Sequence, residues 1–137
     1  MSGGRMKWLK ISLIAVVVLA AAAVGATYWS IHSGLKDTIE MAQAAHPHPG
    51  DDVGALIAYV DDPKHDLKSR NRAVWALGRL GDPMALLVFE KYFDGAPCDH
   101  ESRLCQYELA KAINLCLDNL PGEHKRPSTD AAYYEKE

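Results

Sequence analysis

A chain of 137 residues has the length of one domain and little room for a second. Its formal charge is −3, and the part from Ser30 onward holds 12 Lys/Arg against 18 Asp/Glu, a net charge of −6. This acidic balance argues against nucleic acid as a partner and against adsorption onto anionic lipid, since both require clustered basic residues. No sustained alternation of polar and apolar residues indicates a strand, so the expected fold class is all-α.

The first predicted element is a transmembrane helix over residues 11–29, which follows a short basic N-terminus at residues 1–10. The segment begins ISLIAVVVLAAAAVGA, in which Ser12 is the one polar side chain. As a helix it is about 28 Å long, close to the ~30 Å thickness of a bilayer core. Aromatic residues flank it on both sides, and three Lys/Arg precede it. The positive-inside rule therefore places the N-terminus in the cytoplasm and the rest of the chain outside.

A cleavable signal peptide is the alternative interpretation of the same segment. A basic start, a short apolar stretch and small residues up to Ala26 also describe such a peptide, with cleavage near residue 26. Both interpretations export the remaining chain. If the segment is retained, Ala21 and Gly25 form a small-residue face of the kind that lets another transmembrane helix approach, although alanine richness alone produces such a pattern.

Short helices joined by tight turns are predicted after the span. Residues 30–50 form an amphipathic connecting helix, either continuous with the span or bent at Gly34, and then a turn rich in Pro and His. Residues 51–122 form a helical domain. Its helices are capped by Asp51 or Asp52, Asp66 and Asp82, Gly81 ends one of them, and the last begins near Asp99. Residues 123–137 are expected to form a flexible polar tail.

An internal repeat indicates that the helices of this domain stack in pairs. Four apolar positions of one helix recur 36 residues later: Ala73, Ala76, Leu77 and Leu80 correspond to Leu109, Ala112, Ile113 and Cys116. A period near 36 residues with paired helices is typical of an α-solenoid. The small residues would allow two helices to approach closely. We therefore expect a short solenoid of about two helical hairpins.

The first hairpin resembles a HEAT repeat of the short bacterial form that is also found in phycobiliprotein lyases. Residues 56–63 read LIAYVDDP and residues 70–83 read RNRAVWALGRLGDP. The resemblance implies a structural pair between Asp61 or Asp62 and Arg70, with Asp62 preferred. It also implies a binding surface more often than a reaction. The second unit departs from the pattern, because it lacks the arginine and the Ala-Leu-Gly and carries an inserted cysteine loop.

Three cysteines lie in the exported part, where disulfides persist. Cys105 and Cys116 are 11 residues apart on a predicted helix, roughly 16 Å, which is too far for a bond. Cys98 lies in the preceding loop, so we predict a Cys98–Cys105 disulfide and a buried free thiol at Cys116. The odd number of cysteines leaves intermolecular pairing open.

Neither a metal site, a cofactor site nor catalysis is predicted. His46, His48 and His65 occur in loops, and the familiar zinc spacings CxxC and HxxxH are missing from the sequence. Cys98 and His100 resemble a nucleophilic pair, but an exported loop cysteine is more often oxidised, and two helix pairs form a slab of little depth. Phosphate-binding glycine loops are also missing.

Arg72, Trp75 and Arg79 form the predicted contact patch for a partner, since tryptophan and arginine dominate binding hot spots. The alternative is that Trp75 is a core residue and that Arg79 only stabilises the end of its helix. The sequence therefore predicts a non-enzymatic, membrane-anchored interaction module. We expect it in the bacterial inner membrane with its domain in the periplasm, as an accessory or assembly subunit that binds membrane or periplasmic proteins. A soluble periplasmic binding protein is one alternative, and a lyase-like enzyme of the HEAT group is another.

Overall fold

A computed structural model describes residues 3–129 of the chain, with side chains from Trp8 onward, and this part is all-helical without strands. Five α-helices and one 3-10 turn follow in order: α1 (Gly3–Ala45), α2 (Asp52–Asp61), α3 (Leu67–Leu80), the 3-10 turn (Pro83–Ala85), α4 (Leu86–Tyr92) and α5 (Gln106–Leu117). The chain divides into two compact units, one that ends at Gly34 and one that begins at Leu35.

The first unit consists of the N-terminal part of α1. By length and composition, this helix is long and apolar enough to cross a membrane. Its large apolar side chains are exposed along the whole segment, from Trp8 at 73% to Trp29 at 73%. The hydroxyl of Thr27 donates to the carbonyl of Ala23 at 2.8 Å, which satisfies a polar group inside the helix. A side chain at Gly25 would meet nothing within 4 Å, so contact through Ala21 and Gly25 stays a prediction.

The second unit begins at Leu35, within the residues of α1, so residues 35–45 of that helix belong to it. Thr38 and Ala42 are fully buried, so the last turns of α1 contribute to the core of this unit. Leu35 and Ile39 are partly buried against the same core. The amphipathic pattern predicted for residues 30–45 thus corresponds to a helix with one buried face.

The predicted caps of the domain are confirmed. The carboxylates of Asp51 and Asp66 each accept a hydrogen bond from the backbone N–H three residues further on, at 2.7 and 2.9 Å. Gly81 ends α3 with φ = +64°, the left-handed conformation that a glycine adopts without strain. Asp82 then caps the 3-10 turn, with Pro83 in its first position. These local signals determine where the chain turns.

Helix α3 lies at the centre of the domain and packs against both α2 and α5. The two helices of the internal repeat, α3 and α5, therefore lie side by side. They approach closely at Gly78, where an added Cβ would lie 2.9 Å from Cα and Cβ of Ala112. Small residues at this crossing allow the close approach that the repeat pattern predicts.

Helix α5 begins at Gln106, seven residues later than the sequence suggested. Asp99 instead caps a short turn, in which its carboxylate accepts from the N–H of Glu101 and the hydroxyl of Ser102. The buried amide of Gln106 organises the extended chain before the helix, because it accepts from the N–H groups of Asp94 and Gly95. Tertiary contacts of one buried side chain thus override the local start signal.

Hydrogen bonds and an ion pair join the polar segment after α5 to that helix as far as Pro127, whereas flexibility of residues 123–137 stays a prediction. Asn114 donates its side-chain N–H to the carbonyl of Pro127 at 3.1 Å. Arg126 lies 2.8 Å from the carboxylate of Asp118 and also donates to the carbonyl of Asn114. The rest of the predicted tail, residues 130–137, lies outside the described residues.

Candidate functional site

A shallow groove of about 340 Å³ runs between α3 and α5, next to their close crossing. The groove is lined by one aromatic, one aliphatic and several polar or charged side chains. These are Trp75, Leu115, Arg79, Glu108, Lys111 and Thr129. Gly78 and Ala112 also line the groove, so it lies where small side chains let the two backbones approach.

Two of the three predicted contact residues lie in this groove. Trp75 is half-buried, and the guanidinium carbon of Arg79 lies 5.9 Å from its ring centroid. This distance allows a cation–π interaction that holds the exposed arginine over the indole. Arg72 is exposed on the same helix but does not line the groove.

The charges along the groove are unequal. Lys111 lies 3.3 Å from the carboxylate of Glu108 on the same helix, so these two groups partly neutralise each other. Arg79, at the other wall, has the Trp75 ring as its partner. The groove thus combines an apolar surface with excess positive charge on a domain that is acidic as a whole.

The cysteine loop brings two thiols together as the sequence predicts, but as free cysteines. The sulfur atoms of Cys98 and Cys105 lie 2.9 Å apart, whereas a disulfide bond measures about 2.05 Å. Burial and the hydrogen bond with Cys98 raise the pKa of Cys105 to about 11, so this thiol stays protonated near neutral pH. The disulfide between these cysteines stays a prediction.

Cys116 is a fully buried thiol on α5. Burial, together with the negative charge of Asp82, raises its pKa to about 11. A protonated thiol without solvent access behaves as a small apolar side chain and is a poor nucleophile.

Arg70 and Asp62 do not form an ion pair with each other, in contrast to the pairing that the resemblance implies. Each has a different partner. The buried Arg70 donates from Nε to the carbonyl of Val60 at 2.8 Å, near the end of α2. Its guanidinium carbon also lies 5.3 Å from the ring centroid of Tyr92. Arg70 therefore still bridges the α2–α3 turn, but it does so through a backbone acceptor, since the Asp62 carboxylate turns toward two histidines.

The neighbouring Asp61 completes a polar cluster at the same end of α2. Its carboxylate accepts from the ammonium group of Lys91 and, at 2.8 Å, from the hydroxyl of Tyr92. The hydrogen bond from Lys91 is the main reason why the pKa of Asp61 lies below its ordinary value. This cluster connects α2 to α4 and positions the ring that covers Arg70.

Three residues that are not adjacent in the sequence meet at the beginning of the domain. His46 follows α1, Asp62 follows α2 and His65 lies in the turn before α3. The Nε2 atoms of His46 and His65 are 3.0 Å apart. Oδ2 of Asp62 lies 3.5 Å from Nε2 of His46 and 3.8 Å from Nε2 of His65. The 19 residues between the histidines follow no familiar ligand spacing, so only the fold reveals this cluster.

Comparisons with known proteins add no assignment to these sites. No protein-family model matches the chain, and neither does any curated protein or solved structure. The functional interpretation therefore rests on the geometry of the chain itself.

Proposed function

We propose that this chain is a membrane-anchored protein–protein interaction module, an accessory or assembly subunit of a bacterial membrane complex. Its span would lie in the inner membrane, and its helical domain would bind other membrane or periplasmic proteins on the periplasmic side. The groove beside Trp75 is the observation that carries this proposal. It supplies a half-buried indole flanked by arginine, which is the composition of a binding hot spot.

A HEAT-like solenoid of two hairpins is part of the same proposal. The side-by-side packing of α3 and α5, which carry the repeated positions, supports this arrangement. In a solenoid each hairpin buries apolar surface against its neighbour, and the exposed helices offer an extended face. A fold with so few repeats gains stability when another protein covers that face.

The chemistry of the groove indicates the kind of partner segment it fits. Trp75 and Leu115 offer apolar surface to an aliphatic or aromatic side chain. Arg79, together with Arg72 at the outer edge of α3, favours a carboxylate on the partner, because both guanidinium groups are exposed and neither forms an ion pair among the described residues. A segment with an apolar anchor and a nearby acidic group is therefore the expected ligand.

The test compares complexes purified in mild detergent from the native host. Full-length protein carrying Trp75→Ala is compared with protein carrying Leu87→Ala, a control at an apolar residue of α4 that is 79% exposed and lies outside the groove. Because Trp75 also packs against the core, thermal unfolding of the Trp75→Ala protein first checks that it is folded. A photo-crosslinking amino acid at position 75 or 87 then maps the contact directly. We expect a protein that crosslinks from position 75 and is depleted at least about tenfold by Trp75→Ala, as loss of a hot spot predicts.

The proposal fails if the co-purified proteins are unchanged by Trp75→Ala, or if they depend on Leu87 instead. The membrane part is tested separately by the intact mass of the mature protein. A mass that includes residues 11–29 supports the anchor, whereas a chain that starts near residue 27 identifies the protein as a soluble periplasmic binding module.

A further inference from the structure

The cluster of His46, Asp62 and His65 combines side chains from three places in the fold. They are the end of α1, the end of α2 and the α2–α3 turn. All three side chains are about one-quarter exposed, at 25%, 24% and 24%. Two imidazole nitrogens and one carboxylate oxygen thus converge at a place that solvent can still reach.

We propose that these three residues bind a single divalent transition-metal ion, with Zn²⁺ as the best fit. Zinc bonds to histidine nitrogen and carboxylate oxygen measure about 2.0–2.2 Å, and tetrahedral ligands at that distance lie about 3.3–3.5 Å from one another. The observed separations of 3.0, 3.5 and 3.8 Å lie on both sides of this value. The ion therefore fits between the three atoms with shifts of a few tenths of an ångström.

The donor set agrees with this choice of metal. Imidazole suits Zn²⁺, Cu²⁺, Ni²⁺ and Fe²⁺, whereas Mg²⁺ and Ca²⁺ prefer sites made of oxygen ligands alone. Three protein ligands leave one tetrahedral position, and the partial exposure of the cluster lets a water molecule fill it.

Neighbouring groups already hold the carboxylate in a ligating orientation. Oδ1 of Asp62 accepts a hydrogen bond from the backbone N–H of Lys64 at 2.9 Å. The other oxygen, Oδ2, is the one that faces His46 and His65. A carboxylate with one oxygen fixed by a hydrogen bond and the other directed at two imidazoles has the outer-shell support common to metal sites.

The imidazole rings are positioned by Tyr59 on α2. The ring of His65 stacks on it with a centroid distance of 3.8 Å and an interplanar angle of 3°. His46 meets the same ring edge-on, at 6.1 Å and 89°. Because one buried aromatic ring orients both histidines, their Nε2 atoms stay close to each other, and binding requires little reorganisation.

A hydrogen bond between the two imidazole rings is the competing explanation for the Nε2–Nε2 distance of 3.0 Å. The two explanations differ in what a metal ion does. A bound ion would connect the end of α1 to the α2–α3 turn and stabilise the folded domain, because the unfolded chain does not hold the three ligands together. A hydrogen-bonded pair without metal affinity gives no such stabilisation.

The experiment uses the full-length chain in mild detergent after treatment with a chelator. Zn²⁺ is titrated by calorimetry, and Co²⁺ is added separately because its visible absorption reports four-coordinate geometry. We expect one equivalent of Zn²⁺ to bind at this site and to raise the thermal unfolding midpoint. His46→Gln, Asp62→Asn and His65→Gln should each weaken binding by at least about tenfold.

His48→Gln is the matched control, because His48 lies in the same turn but belongs to no group of ligating atoms in the described part of the chain. It should bind Zn²⁺ as the unchanged protein does. Asp62→Asn is the most informative variant, since it keeps an oxygen acceptor for the N–H of Lys64. Thermal unfolding without metal identifies any variant that fails to fold, and the folded variants then decide the result.

Cys98, His100 and Cys105 form a second group of converging atoms, so the experiment includes Cys98→Ser. The two sulfur atoms at 2.9 Å are closer than two thiolates on one zinc ion, which lie about 3.8 Å apart for bonds of about 2.3 Å. We expect Cys98→Ser to leave the His46 site unaffected. The proposal is overturned if the unchanged protein does not bind Zn²⁺, or if binding survives all three ligand variants; loss of that binding in Cys98→Ser would then place the metal at the cysteine group.

Discussion

The apolar segment of α1 and the helical domain from Leu35 onward use the same kinds of residue in opposite ways. Val17 in the segment is 60% exposed, whereas Val74 on α3 is completely buried. In the domain, apolar side chains face one another and polar groups end the helices. In the segment they face outward on all sides, an arrangement that is stable when the surroundings are hydrocarbon. The two regions thus differ in where their apolar side chains lie, which is inside the domain in one and on the helix surface in the other.

The largest expected effect comes from placing the same charge in both regions. Val74→Asp buries an unpaired carboxylate in the core, which should cost more than about 4 kcal/mol and unfold the domain. Val17→Asp should leave the unfolding of the domain unchanged but weaken membrane integration by about 2.5–3.5 kcal/mol. Circular dichroism of the detergent-purified proteins and alkaline extraction of membranes measure the two outcomes. A domain that unfolds equally in both variants would contradict the comparison.

A smaller effect is expected from removing a directional contact that exists only in the domain. Arg70→Ala deletes the hydrogen bond to the carbonyl of Val60 and the contact with the Tyr92 ring. A buried hydrogen bond from a charged donor contributes about 1.5–3 kcal/mol, so chemical denaturation should show a loss of that size. Arg72→Ala, an exposed arginine on the same helix, should change stability by less than about 0.5 kcal/mol. Equal effects of the two substitutions would show that Arg70 does not stabilise the α2–α3 turn.

The smallest expected effect is a loss of domain stability at low pH. The apolar segment should show no such loss, because residues 11–29 contain no carboxylate. Hydrogen bonding from the backbone N–H of Ser69 is the main reason why the pKa of Asp66 lies below its ordinary value of 3.8. Its stabilising contribution is therefore present above pH 3.8 and is lost as the pH falls through the lower pKa of the folded state.

Asp66→Asn keeps a good helix cap but cannot titrate. We expect the chain with Asp66 to be more stable than this variant above pH 3.8, and the difference to shrink at lower pH. Chemical denaturation across a pH series measures this difference. A gap that stays constant, or that grows on acidification, would show that the carboxylate charge does not stabilise α3.

The features that could be predicted from the sequence are the ones encoded by neighbouring residues. Asp51, Asp66 and Gly81 act within one turn of their own positions, so composition and spacing were enough to place the caps. The alanines of the repeat likewise pointed to a close approach of two helices, although Gly78, which meets Ala112 there, is not one of the repeated positions. The outward-facing apolar run of α1 was equally clear, because no polar face interrupts it.

The features that could not be predicted depend on residues far apart in the chain. The start of α5 is delayed because Gln106 bonds to the backbone of the preceding loop, a contact that no local pattern encodes. The meeting of His46 and His65 requires the end of α1 to fold back onto the α2–α3 turn. The acceptor of Arg70 is a main-chain carbonyl, which residue identity cannot reveal.

The attachment of Pro127 to α5 offers a spectroscopic handle on the groove. Since Thr129 lines the same groove as Trp75, a dye coupled through a cysteine at position 129 lies within quenching range of that indole, provided that the partly exposed Cys98 is replaced by serine. With Trp8 and Trp29 replaced by phenylalanine, emission from the remaining tryptophan becomes a readout of occupancy. The intrinsic fluorescence of Trp75 would then report on the surface where a ligand would arrive.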